Sequence, residues 1–317
     1  MIYPLGIRPL PRGGRPSMRR LQIGMWEQFS PDRWEQLAMP LITGMEVCCL
    51  PDRAALAQVR DFCRQHGLGY GIHGPVLAED GYRLPVLNAP APRQFKEELQ
   101  YITSEVELAS SYDADYILFH YPFYPVFQEP FTPFPRLPDI GHRYSCEQLG
   151  RGQFRDISIT LFEHLAELQQ RFKQRIVLEH DFFGDYGDIV IDAFLAYPEI
   201  RFVLDTARLD IARRAFPGFA PYSFMEALAP QIDVVHYSNV RYEGGTFKHH
   251  LPVLPEHDED ERFGDAYAYL EYAATRNHQF HVTFEHDASL VSRQELDAIY
   301  RRTAALLKEK ESLPHSS

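Results

Sequence analysis

Residues 175–205 read RIVLEHDFFGDYGDIVIDAFLAYPEIRFVLD. Two short apolar runs, 175–179 and 201–205, stand at its ends, and each run closes on a carboxylate. A short apolar run rich in β-branched residues predicts a buried strand, and the longer segment between two such runs has room for a helix. The stretch therefore predicts a strand–helix–strand unit, the repeat from which α/β folds are built.

The same pattern recurs along the rest of the chain. Asp52 is placed to cap a helix that runs through Arg64 and ends at Gly67. Asp156 and Ser292 precede further segments with apolar residues at helical spacing. The predicted strands lie at residues 21–24, 43–49, 70–74, 116–120, 175–179, 201–205, 234–238 and 281–285. Eight strands alternating with helices predict an α/β fold, the (β/α)8 TIM barrel with long loops at its C-terminal face; a doubly wound open sheet is the alternative.

Length and charge narrow the class of protein. The 317 residues fit one barrel domain at 21–309, with an N-terminal extension at 1–20 and a flexible C-terminal tail at 310–317. A net charge of −12 disfavours nonspecific binding to nucleic acid or to an anionic membrane. Apolar runs are too short to span a membrane or to form a signal core, and 4 cysteines are too few for a disulfide scaffold. We therefore expect a cytoplasmic protein with no membrane contact.

Two predicted loops are long enough to carry function. The loop at 121–155 interleaves prolines with aromatic residues, and it is either a cover packed on the barrel rim or a docking surface. In the second case its occupant is a protein partner or another copy of the chain. The loop at 239–263 carries Lys248, His249 and His250 ahead of an acidic run.

The later predicted strands contain side chains that can bind metal, at or near their ends: His73, His120, Glu179, Asp205, His236 and Glu285. In a (β/α)8 barrel the C-terminal ends of the strands converge on one mouth. Three carboxylates there repel one another, and an unpaired buried charge is costly. A divalent cation is the simplest remedy, so the pattern predicts a metal site.

The order of these short motifs resembles the xylose isomerase-like TIM-barrel superfamily, which includes sugar isomerases, epimerases and endonuclease IV-like enzymes (AP endonuclease family 2). The motifs that carry the resemblance are IHGP at 72–75, FHYP at 119–122, LEH at 178–180, LDTAR at 204–208, His236 with SN at 238–239, HLP at 250–252 and FE at 284–285. The resemblance implies one metal held by a tetrad, which consists of Glu179, Asp205, His236 and Glu285. It also implies that His73 and His120, together with Glu179, hold another.

The same resemblance suggests how the substrate is bound. Where the nuclease-like members would hold a third metal, this chain carries Arg208 and Lys248 with His250. Two of these residues are cations, so we expect one or two divalent ions (zinc, manganese or iron) rather than three. We expect no nucleotide cofactor, because the glycine motif at 69–74 lies on a predicted strand and runs into Pro75 instead of a helix. Arg208, Lys248 and His250 are predicted to bind a substrate carboxylate or phosphate, with a two-pronged contact from Arg208. The alternative is a salt bridge from Arg208 to Asp205 or Asp210.

The function expected from these features is a divalent-metal-dependent sugar isomerase or epimerase that acts on a small, anionic polyhydroxylated or keto compound. Glu179 and Glu285 would remove and return the proton next to the carbonyl, through an enediolate. A dehydratase or lyase can begin with the same proton abstraction. Two further hypotheses are an endonuclease IV-like phosphodiesterase and a non-catalytic barrel that serves as a binding protein, although the acidic charge makes nucleic acid an unlikely partner.

Overall fold

The computed structural model describes residues 20–26, 29–78, 83–122, 148–216, 218–244 and 246–312. Each predicted strand is present at its expected place. The barrel strands are β1 (Leu21–Trp26), β2 (Ile42–Leu50), β3 (Gly69–Leu77), β4 (Ile117–Tyr121), β5 (Ile176–His180), β6 (Arg201–Asp205), β7 (Ile232–Tyr237) and β10 (His281–Phe284). Their burial is nearly complete, as the continuous apolar runs of the sequence predict.

The strands close into one parallel barrel. Each strand pairs with the next one along the chain, apart from β10, which follows β7 in the ring and closes it against β1. The closing pair is parallel, with Leu21 opposite Val282 and Ile23 opposite Phe284. The prediction of a (β/α)8 TIM barrel is therefore confirmed, and the open-sheet alternative is wrong because an open sheet has two unpaired edges.

Helices follow the strands on the outside. The helices are α1 (Pro31–Leu37), α2 (Arg53–His66), α3 (Pro92–Ser111), α4 (Arg151–Phe172), α5 (Gly187–Ala196), α6 (Thr206–Ala215), α7 (Pro221–Leu228), α8 (Ala266–Arg276) and α9 (Arg293–Glu311). The Asp52 side chain caps α2, and Gly67 ends it in the left-handed region, at φ 65°. Ser292 and Glu295 form a capping box on α9. The predicted cap at Asp156 is wrong, because α4 begins at Arg151 and its apolar face starts one turn earlier, at Phe154.

The segment predicted as a loop at 239–263 contains a β-hairpin. Strands β8 (Asn239–Glu243) and β9 (Thr246–Leu251) pair antiparallel, with Tyr242 opposite Phe247. Val240 and Tyr242 are buried whereas Glu243 is exposed, the alternation expected of a strand with one buried face. The hairpin carries Lys248, His249 and His250 beside the barrel mouth.

Aliphatic side chains and a polar cluster share the barrel interior. The aliphatic cluster includes Leu118, Val177, Val203 and Val234, packed with Tyr116. The polar cluster contains Gln22, Glu46 and Thr283, each with no exposed surface. Gln22 Nε2 donates to Thr283 Oγ1 at 2.6 Å and to the Tyr116 hydroxyl, which in turn donates to Glu46. A hydrogen-bonded path therefore runs from the barrel interior towards its mouth.

Some sequence-based expectations lie outside the described residues. These are almost all of the extension at 1–20, the part of the proline-rich loop at 123–147, and the end of the tail at 313–317. In the described part of the chain, α9 continues to Glu311, past the predicted start of the tail. No helix among the described residues is long and apolar enough to cross a membrane.

Candidate metal centre

The side chains singled out in the sequence meet at one mouth of the barrel. Strands β3, β4, β5, β6 and β7 supply His73, His120, Glu179, Asp205 and His236, and Glu285 directly follows β10. All six are buried, with exposed fractions of 7% or less. Parallel pairing places them at similar heights, since His120 lies opposite Glu179 and Asp205 lies opposite His236. The fold therefore brings together six residues that span more than 200 positions of the sequence.

His236 lies at the centre of the first group. Its Nδ1 is 3.1 Å from Glu285 Oε1 and 3.4 Å from Glu179 Oε2. Ligand atoms of Glu179, Asp205 and His236 lie within 4.8 Å of one another, close enough to share one ion. Two carboxylates, an imidazole and the adjacent Glu285 form a donor set that suits zinc, manganese or iron.

A second group adjoins the first through Glu179. His73 Nε2 and His120 Nε2 lie 3.6 Å and 3.4 Å from Glu179 Oε2, and 3.0 Å from each other. These three side chains also satisfy the distance requirement for a shared ion. Glu179 is common to both groups, so it is the residue that could bridge two ions.

Several buried atoms at the centre have charged neighbours but make no hydrogen bond of suitable geometry among the described residues: Glu179 Oε2, His236 Nδ1 and Glu285 Oε2. Buried polar atoms are nearly always paired, because an unmade hydrogen bond costs about 1–3 kcal/mol. Here the unsatisfied atoms belong to neighbouring side chains and are the atoms that ligate metals. The residues present therefore fit a divalent ion.

The electrostatics of the group also favour an added positive charge. Burial raises the pKa of Asp205 well above its ordinary value, and the charges of Glu285 and Glu179 reinforce the shift. Burial alone would lower the pKa of His236, but Glu285, Glu46 and Glu179 outweigh it and hold that pKa well above its ordinary value. A proton on His236 or on Asp205 supplies the charge compensation that a metal ion would provide.

Arg208 lies inside the carboxylate cluster. Its Nε is 2.9 Å from Glu179 Oε1 and 3.2 Å from Asp205 Oδ2, and its Nη1 is 3.1 Å from Asp181 Oδ1. Burial would raise the pKa of Glu179, but the charges of His120, His236 and Arg208 hold it well below its ordinary value. Of the alternatives open in the sequence, a salt bridge to Asp205 is present. The substrate contact of Arg208 remains a prediction.

The two further predicted substrate-binding residues lie on β9. His250 adopts a left-handed backbone at φ 56°, and its Nδ1 is 3.1 Å from the carbonyl oxygen of Glu285. It therefore stands at the rim of the metal centre. Lys248 is exposed on the hairpin and acts on Asp287 electrostatically.

Sequence reasoning missed two buried acids at the site. Glu46, from the middle of β2, places Oε1 at 3.0 Å from His236 Nε2, on the side of the ring away from Glu179 and Glu285. Asp181 follows β5 and contacts both Arg208 and His120 Nδ1, the latter at 3.4 Å. Burial raises the pKa of Asp181 to about 7 despite the nearby arginine. Glu46 lies in the middle of its predicted strand and Asp181 lies two residues past the end of its own, so a search at the ends of the predicted strands did not find them.

Trp26, at the end of β1, forms one wall of the centre. Its ring lies 5.5 Å from the His73 ring in an edge-on arrangement and 6.4 Å from the His236 ring. An indole at this point keeps part of the mouth apolar and strengthens the electrostatic interactions within it.

Solved structures with the same fold include several sugar-related enzymes. A xylose isomerase domain protein from Planctomyces limnophilus superposes with a TM-score of 0.57 at 12% identity, covering 93% of this chain and 99% of that one. A D-psicose 3-epimerase from Clostridium cellulolyticum gives 0.57 at 10% identity, covering 92% and 98%. A Thermus thermophilus protein soaked with ZnCl2 gives 0.55 at 18% identity, covering 91% and 98%.

No protein-family model and no curated protein sequence matches the chain. The structural matches nevertheless extend over more than nine-tenths of both partners. The chain therefore has the xylose isomerase-like TIM-barrel fold, and the resemblance predicted from its strand-end motifs is confirmed for the fold.

Proposed function

We propose that this protein is a divalent-metal-dependent enzyme of the sugar isomerase or epimerase type. The observation that carries the proposal is the placement of Glu179 and Glu285 beside the same nitrogen of His236, Nδ1, each with a buried oxygen that lacks a hydrogen bond within the described structure. The D-psicose 3-epimerase that shares the fold supports the same class of reaction.

The four residues Glu179, Asp205, His236 and Glu285 would hold the ion. When bound, a divalent ion polarises a substrate carbonyl and makes the neighbouring C–H more acidic. The remaining steps belong to the side chains. Strands β5 and β10 are separated by β6 and β7 in the ring, so Glu179 and Glu285 approach a substrate from different directions.

The two glutamates, Glu179 and Glu285, are proposed to transfer the proton. Burial would raise the pKa of Glu285, but the charge of His236 holds it below its ordinary value, so the carboxylate is ionised and can accept a proton. One glutamate removes the proton from the substrate carbon and becomes protonated. The other glutamate, after taking a proton from solvent, returns it to the opposite side of that carbon, and the first then releases its proton to solvent. Removal and return on opposite faces inverts the carbon, which is the outcome of an epimerase.

Solvent exchange tests this proposal directly. The protein, supplied with Mn²⁺ in D₂O, is incubated with a panel of ketoses and keto sugar acids, and deuterium in the recovered compounds is measured by NMR. We expect deuterium at the carbon next to the carbonyl, and a loss of exchange of roughly 100-fold or more in Glu285→Gln, the scale of general acid–base catalysis.

The matched control is Glu98→Gln. It alters a buried carboxylate on α3 that pairs with Arg83, away from the metal centre. It should exchange at the rate of the unaltered protein. Absence of exchange across the panel with metal bound, or unchanged exchange in Glu285→Gln, would contradict the proposal. A protein that folds fully and binds no metal would instead favour a non-catalytic barrel.

A second candidate function is phosphodiester hydrolysis, and the group of His73, His120 and Glu179 favours it. Two ions that share Glu179 could hold the attacking and leaving oxygens of a phosphodiester. The test is cleavage of an oligonucleotide that contains an abasic site, with Glu179→Gln as the inactive control. Cleavage that depends on two bound ions would favour this function over the first.

A further inference from the structure

A cavity of about 280 Å³ lies beside the metal centre, between the ends of β1 and β10 and helices α1 and α9. Glu285 lines it and is also part of the metal centre, so the two spaces are adjacent. Its apolar wall includes Ile23, Leu37 and Phe284. Trp26 also lines it, and the Trp26 ring is 6.4 Å from the His236 ring. A pocket of this size is suited to one end of a small ligand rather than to a large cofactor.

Arg33 supplies the permanent positive charge of this cavity; among its described lining residues there is no other arginine and no lysine. The Arg33 Nε is buried and has no hydrogen-bond partner among the residues that the structure describes. A guanidinium carries only donors, arranged in a planar fork that matches a carboxylate or a phosphate. An oxyanion is therefore the kind of ligand that would accept a hydrogen bond from this unpaired donor.

The two acids that line the cavity already have close partners. Glu285 Oε1 lies 3.1 Å from His236 Nδ1. Asp287 attracts Arg33 electrostatically, but its Oδ1 accepts hydrogen bonds from the backbone N and the Oγ of Ser289, at 2.9 Å and 2.7 Å. Arg33 consequently has donor capacity to offer a ligand.

The position of Arg33 is fixed by backbone contacts. Ser30 caps α1 by accepting a hydrogen bond from the backbone N of Arg33 at 3.1 Å. On the other side, Arg293 of α9 donates to the carbonyl oxygens of Glu35 and Gln36 at 3.2 Å and 2.7 Å. These contacts fix the backbone of α1 beside the cavity and do not involve the Arg33 side chain, so that side chain can be replaced without removing the cap of α1.

We propose that this cavity binds the terminal oxyanion of the substrate, a carboxylate or a phosphate, with Arg33 as the residue that recognises it. The sequence assigned this role to Arg208, whose guanidinium instead lies among Glu179, Asp181 and Asp205. The inference rests on the proposed function for the remainder of the substrate, a short polyhydroxylated chain that reaches from the metal centre into the cavity.

Binding of compounds that cannot react tests the cavity separately from catalysis. Calorimetry measures the Kd of the Mn²⁺-supplied protein for a set of pentitols, the matching D-pentonates and the matching pentitol phosphates. None of these has a ketone or aldehyde, so affinity is read without turnover. We expect at least one class of anion to bind roughly 10- to 100-fold more tightly than its neutral pentitol, the scale of a charge-assisted paired contact.

The variant Arg33→Gln should abolish that preference while leaving pentitol affinity unchanged. The variant Arg33→Lys, which keeps the charge but not the fork, should restore only part of it. The matched control is Arg93→Gln, which changes an exposed arginine paired with Glu97 on α3 and should bind as the unaltered protein does. Thermal unfolding of each variant verifies that it is folded.

The outcomes separate the two sources of the oxyanion and the two proposals. Tighter binding of pentonates identifies a sugar acid as the ligand class, and tighter binding of phosphates identifies a sugar phosphate. Equal affinity for neutral and anionic compounds, no binding of any of them, or an anion preference that survives in Arg33→Gln would overturn the inference. An Arg33-dependent preference without deuterium exchange would sink the proposed reaction and leave the cavity assignment standing.

Discussion

At the scale of single residues, the buried carboxylate of Glu46 determines which nitrogen of His236 faces the metal centre. Its Nε2 lies 3.0 Å from Glu46 Oε1, and its Nδ1 faces Glu179 and Glu285. A hydrogen bond from Nε2 to the other oxygen, Glu46 Oε2, at 3.3 Å leaves Nδ1 as the nitrogen that faces the metal centre. Carboxylates in this position commonly orient metal-binding histidines and increase their basicity.

We predict that Glu46→Gln weakens metal binding. The amide keeps the size of the side chain and can still accept a hydrogen bond, but it removes the negative charge behind the imidazole. The Kd for Zn²⁺ or Mn²⁺, measured by competition with a chelator, should rise about 10- to 100-fold. Glu98→Gln, which also changes a buried glutamate, should leave the Kd unchanged. Unaltered metal affinity in Glu46→Gln would show that Glu46 only fills the barrel interior.

Glu105 on α3 is a buried acid away from the metal centre, and its Oε2 accepts a hydrogen bond from the backbone N of Val76 at 2.6 Å. Burial raises the pKa of Glu105 from 4.5 to about 7, against the effect of this hydrogen bond. The folded state therefore binds the proton more strongly than the unfolded state does. The contribution of Glu105 to the free energy of unfolding is present below pH 4.5 and is lost as the pH rises through about 7.

The variant Glu105→Gln has no carboxylate to ionise, so it should not lose this stability as the pH rises. Between about pH 5 and pH 8 its free energy of unfolding should rise relative to the unaltered protein, by up to about 3 kcal/mol. Urea unfolding across this pH range measures the difference. Glu107→Gln, an exposed change on the same helix, serves as the control and should give a constant difference. A flat difference for Glu105→Gln as well would mean that Glu105 is ionised in the folded protein at neutral pH.

At the scale of elements, one side chain of α6 anchors the hairpin to the barrel. Asp210 is fully buried, and its carboxylate accepts hydrogen bonds from the Tyr242 hydroxyl on β8 at 2.7 Å and from the Tyr269 hydroxyl on α8 at 3.1 Å. It also pairs with Arg213 and Arg214 at 2.6 Å and 3.0 Å. The hairpin that carries His250 to the rim is thus held by contacts with α6.

We expect Asp210→Asn to loosen this hairpin. The change removes the carboxylate partner of Arg214 and one of the two carboxylate partners of Arg213, and it leaves one donor of the amide facing other donors. The free energy of unfolding should fall by about 2–3 kcal/mol. This is less than for complete removal of a buried ion-pair partner, because asparagine keeps the shape of the aspartate side chain. Urea unfolding measures it, and hydrogen exchange should show faster exchange at Tyr242 and Phe247.

Asp61→Asn is the matched control for that experiment, because Asp61 pairs with Arg60 at the surface of α2. Exposed pairs contribute little, so the control should lie within about 0.5 kcal/mol of the unaltered protein. If Asp210→Asn behaved like the control, the hairpin would be held by its apolar contacts alone.

At the scale of the whole molecule, barrel closure concentrates acidic side chains at one end. Glu179, Asp205 and Glu285 are all buried at the mouth, where Arg208 contributes one permanent positive charge. Burying like charges opposes folding, so a cation that binds the folded state should stabilise the entire barrel.

We predict that divalent metal raises the unfolding temperature and that a chelator lowers it. At a free metal concentration about a thousand times the Kd, the stabilisation should be about 4 kcal/mol. Elemental analysis of the saturated protein should give one or two ions per chain. Asp205→Asn should lose most of the stabilisation, whereas the exposed control Asp192→Asn should retain it. Three tightly bound ions, or full metal content in Asp205→Asn, would contradict the assignment of the centre.

The strands, and many of the residues that meet at the candidate site, could be predicted from the sequence because they depend on local patterns. Buried parallel strands are continuous apolar runs, and the polar residue that closes each run stands out against them. The helix caps at Asp52 and Ser292 depend on a few neighbouring residues, so they too could be located. Chain order and strand number then favoured the barrel, since eight βα units are its usual number, and the pairing of β10 with β1 decided it against the open sheet.

Only the tertiary structure decided which side chains meet. Glu46 lies within a strand and reaches His236 across the barrel, 190 positions away in sequence, so no local signal marks it. The partners of Arg208, the hairpin of β8 and β9, and the cavity beside Arg33 likewise depend on contacts between distant elements. Periodicity records whether a residue faces a core, whereas the identity of its neighbour is set by the register and closure of the barrel.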